Sequence, residues 1–295
     1  MNYILTVDNV QVKRDGKVNL EIQQKIVLAP KDKVAILGEN GAGKTTLINV
    51  ILGEVDFEGK TIKHFSKEDC GIVFQENAYN PLLKVYELVE LALPLTKSEL
   101  GQFLKKYELE DLKNKHIKNL SGGEEQRLTL SLVLEKNQPV YFFDELTSGL
   151  DYKKRLALLA LMKEKTINST VFNVTHYFEE IENWATKILM LKEGKLVFFG
   201  TVADFFAQFG HHSVLKLEYA EYSKLDETDL PQDTHSDTGD GRAFVCGTKQ
   251  DQVRLETFFD KKNMTYKIIK QNMYTTYLVA DTRMQMTDTK EIRHD

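Results

Sequence analysis

Val34-Ala35-Ile36-Leu37, Gly38-Glu39-Asn40-Gly41-Ala42-Gly43-Lys44-Thr45, Thr46-Leu47-Ile48-Asn49-Val50-Ile51-Leu52 is the stretch whose reading decides the fold. Its first four residues are an apolar run, the mark of a strand buried on both faces in a parallel sheet. The next eight fit G-x-x-x-x-G-K-[ST], the phosphate-binding P-loop pattern. The remainder reads as a helix stopped by Gly53 in the position that favours a left-handed glycine. The spacing has a mechanism. Gly38, Gly41 and Gly43 let the backbone turn tightly and bring its N–H groups close to an anion. The loop also delivers the helix N-terminus, with its partial positive charge, to the same place. Lys44 is of a length to reach β/γ-phosphates, and the Thr45 hydroxyl suits Mg²⁺.

The bulk numbers narrow the class. The chain has 295 residues, 42% hydrophobic and 28% charged, which suits one large α/β domain plus a smaller one. Its net charge of −5 leaves no basic surplus to displace counterions, so no nucleic-acid partner is expected. Cys70 and Cys246 lie far apart and read as free thiols of a reducing compartment. No apolar run approaches the about eighteen residues of a membrane span. Met1 to Thr6 lacks a basic leader segment, so a cytosolic chain is expected.

Outward from the P-loop, Tyr3 to Val12 and Leu20 to Leu28 read as antiparallel strands, with a turn at Arg14-Asp15-Gly16-Lys17. Gly59 to Lys63 suggests an edge strand. Gly71-Ile72-Val73-Phe74 is a second apolar run and ends in Gln75. Between about 76 and 136 the apolar residues recur at three and four spacings, which predicts a helical insertion. Within it, Leu120-Ser121-Gly122-Gly123-Glu124-Glu125-Gln126-Arg127 opens a helix, with Ser121 and Glu124 at capping-box spacing. Two glycines just inside a cap weaken a helix start, and close approach of another backbone or ligand would account for them. Val140 to Phe143 is a third buried run, ending in Asp144-Glu145, and Val171 to Val174 a fourth, ending in Thr175-His176. A parallel sheet would gather these polar ends along one edge, where ligands collect. Lys187 to Leu191 and Leu196 to Gly200 predict a closing hairpin, and Thr201 to Gly210 a helix. Eight carboxylates and one lysine lie between Glu218 and Asp240, so 213–242 reads as an acidic linker. A small β-α-β-β unit is expected at 243–282, its last strand at Thr276 to Val279, and a polar tail at 283–295.

Together these residues resemble the nucleotide-binding subunit of ABC transporters. Gly38 to Thr45 looks like its Walker A motif, Leu120 to Gln126 its signature, Val140 to Asp144 its Walker B, Gln75 its Q-loop, Ser148 to Asp151 its D-loop, and His176 its switch histidine. The resemblance covers roughly residues 1–210 and implies an α/β P-loop ABC cassette over 1–212, with an antiparallel β subdomain, a helical insertion and a small C-terminal α+β extension. It implies an ATPase using ATP and Mg²⁺. Gly38, Glu39, Asn40, Gly41, Ala42, Gly43, Lys44, Thr45 and Thr46 would bind the triphosphate. Ser121, Gly122 and Gly123 would do so from a second subunit. Thr45, Gln75 and Asp144 would serve the metal, and Glu145, Gln75 and His176 the catalysis. It also implies a head-to-tail dimer with itself or a sister ATPase, docked on a membrane permease at the inner face of the cell membrane. Three positions depart from the family pattern: no aromatic stands near Lys13-Arg14 to stack on adenine, and Leu146 and Tyr152 stand where proline is usual. The stretch 75–87 and the C-terminal unit look like those of ATPases paired with ABC-2-type exporter permeases. An importer ATPase and a soluble ABC ATPase acting on ribosomes or DNA are the alternatives.

Overall fold

The computed structural model describes residues 3–14, 16–74, 78–226, 230, 231, 234 and 242–291. The chain divides into two units, 1–199 and 200–295.

The first unit is built on one ten-stranded sheet. Its antiparallel part joins β1 (Leu5–Arg14), β2 (Lys17–Ile22), β3 (Ile26–Leu28) and β5 (Glu58–Lys63), with β1 pairing to the other three. Alternation drives this part. Leu5, Val7, Val10 and Val12 of β1 are buried, together with Leu20 and Ile22 of β2.

The parallel part contains β4 (Lys33–Leu37), β6 (Cys70–Val73), β7 (Val140–Asp144), β8 (Thr170–Val174) and β9 (Lys187–Lys192) in the order β9-β4-β8-β7-β6. The expected closing hairpin is β9 with β10 (Lys195–Thr201), and β10 joins the two parts of the sheet through β2. These strands are apolar without alternation because both faces are covered. One face holds Val34, Ile36, Phe142, Phe172 and Val174 against helix α1 (Lys44–Leu52). Tyr141, Phe143 and Val171 share the other with Leu130, Leu158 and Met162. The Phe142 and Phe172 rings stack at 4.6 Å across adjacent strands. Truncating Phe142 to alanine removes that stack and opens a cavity, a loss of about 3–5 kcal/mol.

Register does the positioning. Val174 pairs with Ile36 on one side and Asp144 on the other, while Leu37 pairs with Met190. The C-terminal ends of β4, β7 and β8 therefore stand level to within a residue, and β9 runs two residues past the end of β4. α1 ends as the sequence predicts: Gly53 is left-handed (φ 80°) and its N–H donates to the Asn49 and Val50 carbonyls.

The helical insertion comprises α2 (Val85–Ala92), α3 (Lys97–Lys106), two single 3₁₀ turns and α4 (Gly122–Glu135). It has a core of its own, from Val85 and Val89 through Phe103, Leu104 and Tyr107 to Leu128. Thr96 with Glu99, and Ser121 with Glu124, are capping boxes that fix where α3 and α4 start. After β7 come α5 (Tyr152–Lys165), capped by Asp151, and, after β8, the short α6 (Phe178–Ile181).

The second unit contains α7 (Val202–Gln208), β11 (Ser213–Leu217), α8 (Tyr219–Tyr222), β12 (Ala243–Cys246), α9 (Lys249–Lys261), β13 (Tyr266–Lys270) and α10 (Met273–Glu291). Its antiparallel sheet has β11 in the middle, between β12 and β13. Leu215, Phe244 and Cys246 pack there with Leu255 and Phe259 of α9.

Three expectations are corrected in this unit. Residues 213–217, read as the start of a linker, are its central strand, because partners 27 or more residues downstream supply the pairing. Thr276 to Val279, read as a strand from its β-branched residues, is helical. The Asn272 side chain accepts from the Thr275 N–H at 2.9 Å while Thr275 Oγ1 accepts from the Asn272 N–H, and this exchange starts α10. Helix α10 then continues to Glu291, through most of the stretch read as a tail. Cys70 and Cys246 are both free thiols, as the sequence suggests.

Candidate functional site

The loop between β4 and α1 is shaped by its glycines. Gly38 has φ +147°, and a Cβ there would stand 2.3 Å from the Leu191 carbonyl oxygen of β9. Gly41 and Gly43 are left-handed, at φ +83° and +95°. Ala42 N–H closes the turn onto Glu39 O at 3.1 Å. Gly43 occupies the N-cap of α1 and supplies no side-chain acceptor, so the first-turn N–H groups remain directed at the loop interior. Lys44 is buried, and its Nζ donates to the Gly38 and Glu39 carbonyls at 2.8 Å each. Burial lowers its pKa, against the charges of Glu145 and Asp144.

The level strand ends bring the acidic residues to this loop. Thr45 Oγ1 donates to Asp144 Oδ2 at 3.0 Å. Asp144 is buried, and its burial raises its pKa; the Thr45 hydrogen bond opposes the rise and the Glu145 charge adds to it. Glu145 is left-handed at φ +52°, an uncommon backbone for a residue with a side chain. Its N–H donates to Val174 O at 3.0 Å, which ties the end of β7 to the end of β8. His176 Nε2 then lies 2.9 Å from Glu145 Oε1. An ionised carboxylate only accepts, so the ring N–H is the donor.

A cleft of about 460 Å³ opens over these groups, lined by Asn40, Gly41, Gly43, Lys44, Thr45, Thr46, Asp144 and Glu145. Asn19 of β2 completes its wall. The sequence carries no separate signal for Asn19, because its place depends on β2 reaching the P-loop across the sheet. Gln75 lies outside the described residues.

Ser121, Gly122 and Gly123 do not line this cleft. They form the start of α4, with Ser121 N–H donating to Glu124 Oε2 at 2.7 Å. The two glycines differ. A Cβ on Gly123 would press the flexible Lys154 side chain at 2.9 Å, so a larger residue there must move that lysine aside. A Cβ on Gly122 would meet nothing within 4 Å.

The chain's sequence matches the family model described as "ABC transporter" over residues 23–148. It is 30% identical over 251 residues to the manganese transport system ATP-binding protein MntB of Halalkalibacterium halodurans, covering 77% of this chain and 98% of that one. This chain is an ABC transporter ATP-binding domain. The ABC cassette is also 33% identical over 186 residues to the spermidine/putrescine import ATP-binding protein PotA of Legionella pneumophila (strain Lens), which are 57% of this chain and 51% of that protein. The chain thus spans about half the length of that relative. In fold, the cassette is similar to a bacterial Atm1-family ABC exporter with ATP bound, with TM-score 0.62 and 24% identity, over 70% of this chain and 40% of that one. Among the described residues no helix of the cassette or its extension is long and apolar enough to cross a membrane.

Proposed function

We propose that the chain hydrolyses ATP in a head-to-tail dimer and so drives a separate membrane permease from the inner face of the cell membrane. One observation carries this reading: Glu145, bonded to His176, lines the P-loop cleft together with the Thr45–Asp144 pair. A cation, a proton acceptor and a phosphate cradle are thereby assigned to one cleft. The P-loop residues Gly38 to Thr46 hold the triphosphate through backbone N–H groups and the Lys44 ammonium.

The donor set fits Mg²⁺. A hydroxyl and a buried carboxylate are hard oxygen ligands, and Mg²⁺ is commonly held by one or two carboxylates together with phosphate oxygens. Thr45 and Asp144, with Gln75, are the residues assigned to hold it. Bound there, the ion would neutralise charge on the phosphate oxygens.

Glu145 accepts the proton of the attacking water, and a base so placed contributes roughly 10²–10⁴-fold. His176 orients the Glu145 carboxylate and contacts the γ-phosphate. Ser121, Gly122 and Gly123 cover the triphosphate of the partner subunit, a role supported by the open space beside Gly122. Closing and reopening of this sandwich is the motion handed to the permease.

Export is the direction assigned, on the exporter-like stretch 75–87 and the separate three-stranded unit after residue 200. Import is the second reading, favoured by the name of the polyamine relative. A gentle detergent pull-down, with phosphate release measured in the presence and absence of Mg²⁺, tests the whole. Mg²⁺-dependent phosphate release and an ABC-2-type permease in the eluate are expected. An importer-type permease would move the assignment to import. Ribosomes or DNA in place of any membrane protein would overturn both directions.

A further inference from the structure

Two residues beyond Glu145 and one residue before His176 stand two buried threonines, Thr147 and Thr175. The Thr147 hydroxyl donates to the carboxylate of Glu180 on α6, and Thr175 favours the charged form of the same carboxylate. Glu180 is 1% exposed. A buried carboxylate is costly unless hydrogen-bonded and paired, so its presence beside the cleft calls for a reason. The partners are specific. Thr175 Oγ1 also accepts from the Tyr177 N–H at 3.0 Å, which orients the threonine. Arg155 of α5 attracts the carboxylate, stacks on the Tyr177 ring at 4.1 Å and donates to Glu179 at 2.6 Å. Burial pushes the Glu180 carboxyl upward, against these hydrogen bonds.

The cluster joins the loop after β7 to the loop after β8. In the first loop, Ser148 N–H donates to Glu145 O at 3.0 Å, so Glu145 and Thr147 belong to one tight turn. In the second, Thr175 and His176 are adjacent. Glu180 follows His176 closely and its N–H donates to Tyr177 O at 3.0 Å, so bonding Thr147 to its carboxylate fixes how far Glu145 stands from His176.

We propose that Glu180 is a positioning residue for ATP hydrolysis, tying Thr147 of the loop after β7 to the segment that carries His176 so that Glu145 and His176 meet. The inference rests on the reading of Glu145 as the base. It assigns Glu180 no contact with nucleotide, so its loss should act on turnover and not on ATP binding.

The test uses the full chain and four variants: Glu180→Ala, Glu180→Gln, Thr147→Val and Thr147→Ser. Basal turnover, ATP affinity and thermal midpoint are measured for each. Glu180→Ala and Thr147→Val should lower kcat by about ten-fold or more, as loss of reacting geometry does. The ATP Kd should stay within about two-fold, because the P-loop is untouched. Glu180→Gln, which keeps an acceptor oxygen, should fall between wild type and Glu180→Ala. Thr147→Ser keeps the hydroxyl and should restore kcat to within about two-fold of wild type. If Glu180→Ala fails to fold, Thr147→Val decides the matter. Normal turnover in folded Thr147→Val, an equal loss of affinity and turnover, or failure of serine to rescue would each overturn the proposal. Glu145→Gln separates this result from the larger reading. If that variant still turns over, the proposed function itself falls. If it is inactive while Thr147→Val is fully active, only the clamp falls.

Discussion

His176 donates to Glu145 across 2.9 Å, and the two residues come from different strand ends, β8 and β7. Neighbouring strands put their last residues level, and the Glu145 N–H bond to Val174 holds them there. The pair is thus a product of sheet register, held on one side by the P-loop strand and on the other by the buried Glu180 clamp.

Glu145→Gln should leave the fold and ATP binding intact, since the amide keeps the size of the carboxylate and an acceptor for His176. Turnover should fall by about 10²-fold or more, the contribution of a placed base. Phosphate release and size-exclusion light scattering with ATP read the two halves of the claim: hydrolysis lost, dimer accumulated. Wild-type turnover in the variant would remove Glu145 from the mechanism.

Gly122 offers a separation of folding from assembly. Its side-chain position faces open space, and glycine within a helix costs roughly 0.5–1 kcal/mol relative to alanine. Gly122→Ala should therefore hold or raise the thermal midpoint. Gly122→Leu should fold as well yet fail to form the ATP-dependent dimer in a Glu145→Gln background. A normal dimer with leucine at 122 would mean that no second chain approaches this helix start. Gly123→Leu should give a lower midpoint than Gly122→Leu, because the Lys154 and Leu150 side chains must shift to admit it.

Asp144 gives a pH dependence of defined sign. Burial raises its pKa above the ordinary carboxylate range, so the folded state keeps this proton to higher pH than the unfolded chain. Its stabilising contribution is present at acid pH and is lost as pH rises through the raised value. Asp144→Asn removes the ionisation and keeps an acceptor for the Thr45 hydroxyl. The nucleotide-free variant should melt above wild type near neutral pH, with the gap closing as pH falls toward the unfolded-chain carboxylate value of about 4. Melting curves over that range in low salt check it. A gap that widens on acidification would contradict the sign. Added ATP and Mg²⁺ should stabilise wild type and not the variant.

Truncation probes the second unit. Among the described residues, those lining the cleft all lie between 19 and 145. A chain ending at Thr201 keeps β10 whole and should bind ATP within about three-fold of the full chain, a change smaller than one hydrogen bond is worth. A chain ending at Arg242 keeps β11 but removes both strands that flank it, which exposes an apolar strand and should aggregate. Isothermal titration and light scattering compare the two. Loss of ATP binding in the shorter chain would make the second unit part of the site.

What the sequence disclosed was local. The P-loop, the Asp144-Glu145 strand end and His176 each sit in a short pattern whose geometry is fixed by its own residues. Register among parallel buried strands then carried them to one edge. Residues that depend on distant partners were silent. Asn19 lines the cleft only because β2 crosses to the P-loop. Glu180 looks like one of three surface glutamates until Thr147 arrives from another strand. β11 reads as the edge of an acidic stretch because its partners, Ala243–Cys246 and Tyr266–Lys270, come later in the chain. At Thr276 to Val279 the β-branched residues spoke for a strand, and the Asn272–Thr275 cap outweighed them.

The place of β4 in the sheet has a consequence for synthesis. The P-loop strand is complete at residue 37, yet its neighbours β8 and β9 begin only at 170 and 187. At ribosomal speed this apolar segment spends on the order of ten seconds without either flanking strand. A nascent or stalled chain lacking those residues carries the full phosphate-loop motif and no means of holding it in shape. Nucleotide capture is therefore a late acquisition of the growing polypeptide, and the interval before it is when the chain most needs protection from aggregation.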